Sequence, residues 1–562
     1  MRSRAGLLTA VIAVVLLVVG VAQAITLLRH RHHGPPVGPA PVRVQLDAGA
    51  RAATVTVPLG GAGDLGATAR VPVDAQSPAQ VDSALAAAGE NGAEVTLADA
   101  AGTPVMPAGF VGLSLEYQAV PTYAAEGSLF ASLVANLTPG SAPVLRVGGD
   151  SGDHAWIPGS APASPGLWYP LDTRWFSALG AIASATGGQF VMGLDLEANQ
   201  PQIPVREYQA FRRALGSSLV AVEPGNEPEL YTVFPWYANA AHRPVFVRSS
   251  RSWGPSAYVR ELRGILPALG TTPLWGPGLT DTSQWWNSIP TIAAGMPHLS
   301  TITDHAYATN CYVAHTAAHW PTVGNLIAAS ASAGLVDEVN APLQYALRTH
   351  RSFRIDETNT VSCAGTQTLP GFASAVWPIE AGFAFAAAGI SGVNIESNPT
   401  ALTRLFTFGA APKTAVQGGP GLLPHAASAA PVSVSDEYYG WMLFARAAPA
   451  GWRLLSADTA GDPNVHAFAT RHGSATNVVL VNDSATAPAT VSLHGTGGSL
   501  AVVEPLRGAG LAQDGSMSLD GMAISPHTGR LSGQPRVSVL SGEGDYSVTL
   551  PPASADLVTV TH

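Results

Sequence analysis

From Phe110 onward, short apolar runs alternate with amphipathic stretches at an average spacing of about 40 residues. The runs cover 110–116, 144–148, 190–196, 219–223, 273–276, 300–305, 352–356 and 392–396. Helical patterns lie between them, for instance over 206–215, 256–269, 323–334 and 373–388. Eight strand–helix repeats predict an α/β fold, a closed (β/α)8 or TIM barrel over 106–447. A Gly/Ala/Pro-rich loop (409–435) and a helical run (438–445) follow the eighth strand. Beyond about 450 the period changes to two, at 476–482, 490–493, 500–505, 536–540, 546–550 and 557–560. Short strands with turn signals between them predict a C-terminal antiparallel β-sandwich over 448–562. Segment 34–105 opens with a Gly/Pro linker (34–40) and continues with strand-like 42–46, 54–57 and 94–97 and a helical 81–88. These early strands are expected to complete the sandwich, because chain ends often lie close together.

Composition narrows the function classes. Only 12% of the 562 residues are charged, against 59 Gly and 45 Pro, which describes a loop-rich globular protein without the high charge of disorder. A net charge of −10 disfavours a nucleic-acid partner, since no basic patch is present to neutralise phosphates. At the amino terminus Arg2 and Arg4 precede an apolar run over 7–28, followed by Arg29-His30-Arg31-His32-His33. Segment 1–33 is therefore a signal peptide, with Ala22-Gln23-Ala24 as its cleavage site, or a retained membrane anchor. Either way the remainder is extracellular, secreted or tethered. The two cysteines, Cys311 and Cys363, follow the sixth and seventh strands, neighbours in a barrel. A disulfide between them is expected in an exported chain. The scattered histidines form no metal motif, and the chemistry below calls for no metal or cofactor.

Two strand ends carry that chemistry. Val222-Glu223-Pro224-Gly225-Asn226-Glu227-Pro228-Glu229 ends the fourth strand, and Phe353-Arg354-Ile355-Asp356-Glu357-Thr358-Asn359 ends the seventh. Paired carboxylates at the carboxyl ends of barrel strands are what glycoside hydrolysis needs, one as proton donor and one as nucleophile. Glu227 is the expected acid/base and Glu357 the expected nucleophile. Across a barrel mouth these ends lie close, and a separation of roughly 5–5.5 Å implies double displacement with retention. Asn226 supplies a donor beside a substrate 2-hydroxyl. Glu223 and Glu229, of opposite strand parity to Asn226, are expected in structural contacts or facing water.

Four motifs make the reading more specific: Gly225-Asn226-Glu227-Pro228, Arg146-Val147-Gly148-Gly149-Asp150-Ser151-Gly152-Asp153, His305-Ala306-Tyr307 and the run Asp356-Glu357 to Ser362-Cys363. Together they resemble glycoside hydrolase family 79, of the β-glucuronidase and heparanase type, in the clan of four/seven retaining barrels. The resemblance runs from about Phe110 to Ala445, and the trailing sandwich is similar to the family's. It implies Glu227 as acid/base, Glu357 as nucleophile, Asn226 on the 2-hydroxyl, Asp153 on sugar hydroxyls, Tyr307 on the nucleophile and Arg146 bracing it. Backbone N–H groups of Cys363, Ala364 and Gly365 would receive a uronate carboxylate. Members of the family often carry Gly-Gly after the cysteine, whereas this chain has Ala364-Gly365, and alanine restricts a turn that needs positive φ. The implied partner is a carbohydrate, a β-glucuronide or glucuronic-acid-capped glycan attacked exo-wise. Alternatives are another β-glycosidase of the clan (β-xylosidase or β-galactosidase) and a non-catalytic glycan-binding protein on this scaffold. Binding alone needs neither glutamate, which argues against the last.

Overall fold

The computed structural model of the chain describes residues 42–49, 51–60, 66–100, 102–161, 164–363, 369–397, 404–409 and 431–561. The leader or anchor (1–33), the linker and most of the loop 409–435 lie outside the described residues, as do Ala364 and Gly365. No helix among the described residues is long and apolar enough to cross a membrane.

Eight parallel strands close into a barrel: β1 (Val111–Glu116), β2 (Val144–Gly148), β3 (Gln189–Leu194), β4 (Leu219–Pro224), β5 (Leu274–Thr280), β6 (Leu299–His305), β7 (Ser352–Thr358) and β8 (Val393–Glu396). Closure comes from β8 pairing with β1 in the register Val393↔Val111 to Glu396↔Ser114. Alternation along each strand divides the side chains between two environments. Leu113, Leu115, Leu145, Val147, Ile302, Ile355 and Ile395 belong to the main core with the surrounding helices. The intervening residues face the barrel interior. Low in it, Val144, Val191 and Ala221 pack with Trp275. One layer up the interior turns polar, with Ser114, Arg146, Glu223, Thr303 and Asp356 all buried. Barrel interiors are ordinarily filled by branched apolar residues. Here the polar layer is the floor of the candidate site.

The structure departs from the sequence reading in two elements. The apolar run at 273–276 predicts a β5 that stops there, but the strand runs on to Thr280, through Pro277, with a shift in register between Pro277 and Leu279 against β6. Proline interrupts a ladder, and a bulge accommodates it without ending the strand. The helix expected over 323–334 breaks into Val323–Leu326, Ala329–Ala331 and Ala333–Glu338. Its middle is Ala328-Ala329-Ser330-Ala331-Ser332-Ala333-Gly334, poor in large apolar residues, and Ser332 has non-helical angles (φ −126°, ψ −84°).

The period-two segments build two layers sharing one strand. Residues 453–455 of Arg453–Gly461 pair with Val465–His472, while residues 456–461 of the same strand pair with Gly92–Ala98. One layer contains Arg43–Leu46, Ala52–Val57 and Ala67–Ala75 from before the barrel; the other contains Gly92–Ala98. The layer facing the barrel is buried on both sides. In Ala475–Asn482, Val478 and Leu480 enter the sandwich core, whereas Val479 and Val481 join the barrel's core. Ser554–Thr561 does the same, with Val558 and Val560 on one side and Ala555 and Leu557 on the other. Barrel and sandwich therefore share one continuous sheet face and are expected to unfold together. Leu557→Ala should cost about 2–5 kcal/mol and lower a single calorimetric transition. Two resolved transitions, with only one shifted, would show the units to be independent.

Candidate active site

The turn after β4 is held from three directions. Gly225 has φ +85°, and a Cβ there would lie 2.7 Å from the Tyr231 hydroxyl oxygen, so only glycine fits. Its N–H donates to Leu194 O (2.9 Å), the Asn226 N–H to Asp153 Oδ2 (3.0 Å) and the Glu227 N–H to Gly278 O in the β5 bulge (3.0 Å). Glu227 itself sits in the left-handed region (φ 45°, ψ 54°), which costs a non-glycine residue roughly 1–2 kcal/mol.

Arg146 joins this turn to β7. Its guanidinium, 1% exposed, donates from Nε to Glu223 Oε2 (2.7 Å) and from Nη2 to Asn226 Oδ1 (2.8 Å). From Nη1 it donates to both Glu357 Oε2 (2.7 Å) and Ser114 Oγ (3.0 Å). The Tyr307 hydroxyl donates to the other Glu357 oxygen (2.7 Å). Burial raises the Glu357 pKa, but the charges of His305 and Arg146 and the two hydrogen bonds overcome it, and the pKa is lowered. Glu357 is thus held as an oriented anion.

His305, at the end of β6, was quoted in a motif but given no role by the sequence reading. Its Nδ1 lies 2.8 Å from Glu227 Oε1 and 4.0 Å from Glu357 Oε2, with Nε2 3.6 Å from Asp356 Oδ1. Burial would lower its pKa, but the Glu357 charge and the Glu227 hydrogen bond push it up to about 10. The ring is therefore an imidazolium at neutral pH. Below it, burial and the Glu223 charge raise the Asp356 pKa well above the carboxylate range, while for Glu223 burial is outweighed by the Arg146 charge and the pKa is lowered. Two buried carboxyls that interact this strongly do not readily both ionise, so the protonated form is favoured at Asp356 and the anion at Glu223. Thr303 donates to the other Glu223 oxygen (2.6 Å).

One assignment is corrected. Asp153, implied to meet sugar hydroxyls, is 3% exposed, and its carboxylate oxygens accept from the N–H groups of Leu196, Glu197 and Asn226 and from the Tyr231 hydroxyl (2.7 Å). No acceptor capacity is left over for a sugar. Asp150, three residues earlier in the same motif, is exposed and accepts from Asn226 Nδ2 (3.2 Å). Glu223 is buried on Arg146, and Glu229 accepts from the Thr280 N–H (2.7 Å) and hydroxyl (3.0 Å). Of the expected carboxylate receptor only Cys363 lies among the described residues. Cys363 is bonded to Cys311 with Cα atoms 4.9 Å apart, where Thr309–Asn310 pairs with Val361–Ser362.

Glu227, His305 and Glu357 offer one atom each within 4.8 Å of one another, a spacing that could also hold a metal ion. Both Glu357 oxygens are already taken by Tyr307 and Arg146, and a cation would face a guanidinium and an imidazolium. The donor set suits proton transfer and nucleophilic attack better than metal ligation.

Two outcomes follow for the isolated protein. Because the folded His305 pKa lies above its ordinary 6.5, its stabilising contribution is complete below about 6.5 and is lost as pH rises through about 10. The stability difference between wild type and His305→Gln should shrink across that window, and a constant difference contradicts the assignment. The bridge closes a loop with a sequence separation of 52. Replacing both cysteines by serine should remove about 4 kcal/mol of stability on a chain-entropy basis, and the denatured, unreduced wild type should titrate no thiols.

No protein-family model matches the chain, and no curated protein sequence matches it. Solved structures do share its fold. A 4-O-α-L-rhamnosyl-β-D-glucuronidase from Fusarium oxysporum 12S, in complex with Rha-GlcA, aligns over 83% of this chain and 100% of its own with a TM-score of 0.60 and 16% identity. A family 51 α-L-arabinofuranosidase from Bifidobacterium longum aligns over 83% and 99% (TM-score 0.56, 14% identity). A family 51 arabinofuranosidase from Xanthomonas axonopodis pv. citri aligns over 84% and 99% (TM-score 0.55, 14% identity). At these identities the likeness is one of fold: the (β/α)8 barrel of glycoside hydrolases with additional C-terminal strands.

Proposed function

We propose that the chain is a retaining, exo-acting glycoside hydrolase, and that its glycone is a terminal β-linked glucuronic acid. The observation that carries the glycosidase reading is the placement of Glu227 and Glu357 oxygens within 4.8 Å at the ends of β4 and β7. Retaining enzymes keep their two carboxyls close, whereas inverting ones leave room for water between them. Glu357, anionic and oriented by Arg146 and Tyr307, attacks the anomeric carbon as Glu227 gives its proton to the departing glycosidic oxygen. The C–O bond to the aglycone breaks and an ester bond to Glu357 forms. Glu227, now a carboxylate stabilised by the His305 imidazolium, takes a proton from water, whose oxygen displaces Glu357 and regenerates the acid. The Asn226 amide has two N–H donors; one serves Asp150 and the other is free for the 2-hydroxyl.

Support for the glucuronide comes from the family 79 motifs and from the glucuronidase among the structures sharing this fold. One observation favours the alternative, a neutral glycone. Glu116, Asp150 and Glu396 stand at or just beyond the ends of β1, β2 and β8, close enough to Glu357 to interact with it electrostatically. Burial, with the neighbouring charges, raises the Glu396 pKa well above its ordinary value and takes that of Glu116 to about 7. Acidic groups around the mouth oppose the negative charge of a uronate and suit a neutral sugar better. We further propose that the catalytic unit works outside the cytoplasm, secreted or tethered by 7–28, in keeping with its disulfide.

Aryl β-glucuronide compared with the matching glucoside, xyloside and galactoside tests the glycone: equal or better hydrolysis of a neutral sugar removes the glucuronidase assignment and keeps the mechanism. The roles are separable. Glu227→Gln should lose about 10²- to 10⁴-fold on alkyl glycosides but much less on dinitrophenyl glycosides, whose leaving group needs no proton. Glu357→Gln should fail on both and resist labelling by a 2-fluoro glycoside. The same residual activity for both variants on the dinitrophenyl substrate would contradict the assignment.

A further inference from the structure

The turn that carries Glu227 continues into an exposed apolar tip. The Leu230 N–H donates to Glu227 O (2.8 Å) and the Phe234 N–H to Leu230 O (3.0 Å), so Phe234 lies two short helical turns beyond Glu227. At about 2 Å rise per residue for such turns, its backbone lies within about 14 Å of the acid/base, the reach of one or two rings. Val233, Phe234 and Phe246 are 58%, 56% and 41% exposed. Tyr237–Ala238 pairs with Pro244–Val245, and the Trp236 N–H donates to Val245 O (2.9 Å), returning Phe246 opposite Trp236, two residues from Phe234.

The exposure does not reflect a slack loop. Trp236 is buried, its Nε1 donates to Asp153 O (2.9 Å) and its ring stacks on His154 with centroids 6.2 Å apart. A Cβ on Gly166 would fall 2.4 Å from that ring. Further along, Arg248 donates to Leu196 O (2.7 Å) and Glu197 O (3.1 Å) and lies 4.8 Å over the Trp253 ring. Asp153 thus anchors the tip through its carbonyl and the catalytic turn through its carboxylate. Rigidly presented, solvent-facing apolar side chains beside a reaction centre mark a binding surface.

Building on the glycosidase reading, we propose that Val233, Phe234 and Phe246 form the platform for the leaving group, and that the aglycone is planar and apolar, an aromatic ring rather than a charged glycan strand. An acid/base protonates the oxygen joining glycone to aglycone, so the segment leading out from Glu227 borders the departing group. Three apolar side chains there offer contact area and no hydrogen bonds.

The test uses one glycone with two leaving groups, 2-naphthol and fluoride, the second presenting no aglycone to the platform. Phe234→Ala should lower the naphthyl-to-fluoride ratio of kcat/KM about three- to tenfold, the worth of one aromatic contact. Phe246→Ala should lower it in the same direction. Leu347→Ala, 42% exposed on the helix Asn340–Arg348 that leads into β7 at the other end of the barrel, should leave ratio and rate unchanged. An unchanged ratio in both phenylalanine variants overturns the platform while the glycosidase stands. A wild type inert toward every glycosyl fluoride removes the glycosidase reading and the platform with it. A wild-type dimer in sedimentation that Phe234→Ala dissolves assigns the patch to a second copy and also overturns it.

Discussion

The site depends on one buried cation. A guanidinium taken out of water in the middle of a barrel loses hydration worth several kcal/mol, and only a matched set of acceptors offsets that loss. Arg146 on β2 finds its set on three other strands: Ser114 on β1, Glu223 on β4 with Asn226 in the turn that follows it, and Glu357 on β7. The guanidinium is planar and presents its donors at fixed angles. Placing it therefore fixes the direction of Glu357 and Asn226 at once. A lysine would keep the charge and lose this shared geometry. The arrangement exists only in the closed barrel, since no two neighbouring strands supply all of its partners.

Charge balance explains the rest of the floor. Arg146 and the His305 imidazolium face Glu223 and Glu357 as anions, while burial and the Glu223 charge favour the neutral form of Asp356. Removing one of the four charged groups leaves its partner's charge unpaired in a largely buried layer, which costs more than the pair contributes. The apolar shell on the outer face of the same strands supplies the burial that holds this polar interior together. The sandwich adds to that shell through the face that carries Val479, Val481 and Leu557.

Much of this was legible in the chain. The eight barrel strands read as apolar runs because their outward residues are mostly apolar and their ends carry turn signals, and each appears in the structure within a few residues, β5 excepted. Glu227 and Glu357 stood out because two strands of the right rank both ended in carboxylates. The polar interior layer was less legible. Arg146, Glu223 and Thr303 look like interruptions of apolar runs, and only closure of the barrel brings them into contact. His305 was overlooked for the same reason: its partner Glu227 is 78 residues away. The signal that could have identified it was its rank, at the end of β6 and next to the strand that carries Glu357. The β5 overrun was hidden by Pro277, which is a breaker locally and part of a bulge in the barrel.

Asp153 shows how a motif residue can matter without touching substrate. Its carboxylate accepts from the N–H groups of Leu196, Glu197 and Asn226 and from the Tyr231 hydroxyl, and so ties together the segments after β2, β3 and β4. The residue after Asn226 is Glu227, held at positive φ by that bond on one side and by Gly278 O on the other. A strained conformation persists only where its surroundings over-determine it. Asp153 and the β5 bulge provide that determination. The second aspartate of Gly-Gly-Asp-Ser-Gly-Asp is thus a support for Glu227 at one remove, and the first, Asp150, is the one that reaches the open mouth beside Asn226. Motif spacing alone could not separate the two, because both follow the same strand and only the depth at which each settles distinguishes a brace from a contact.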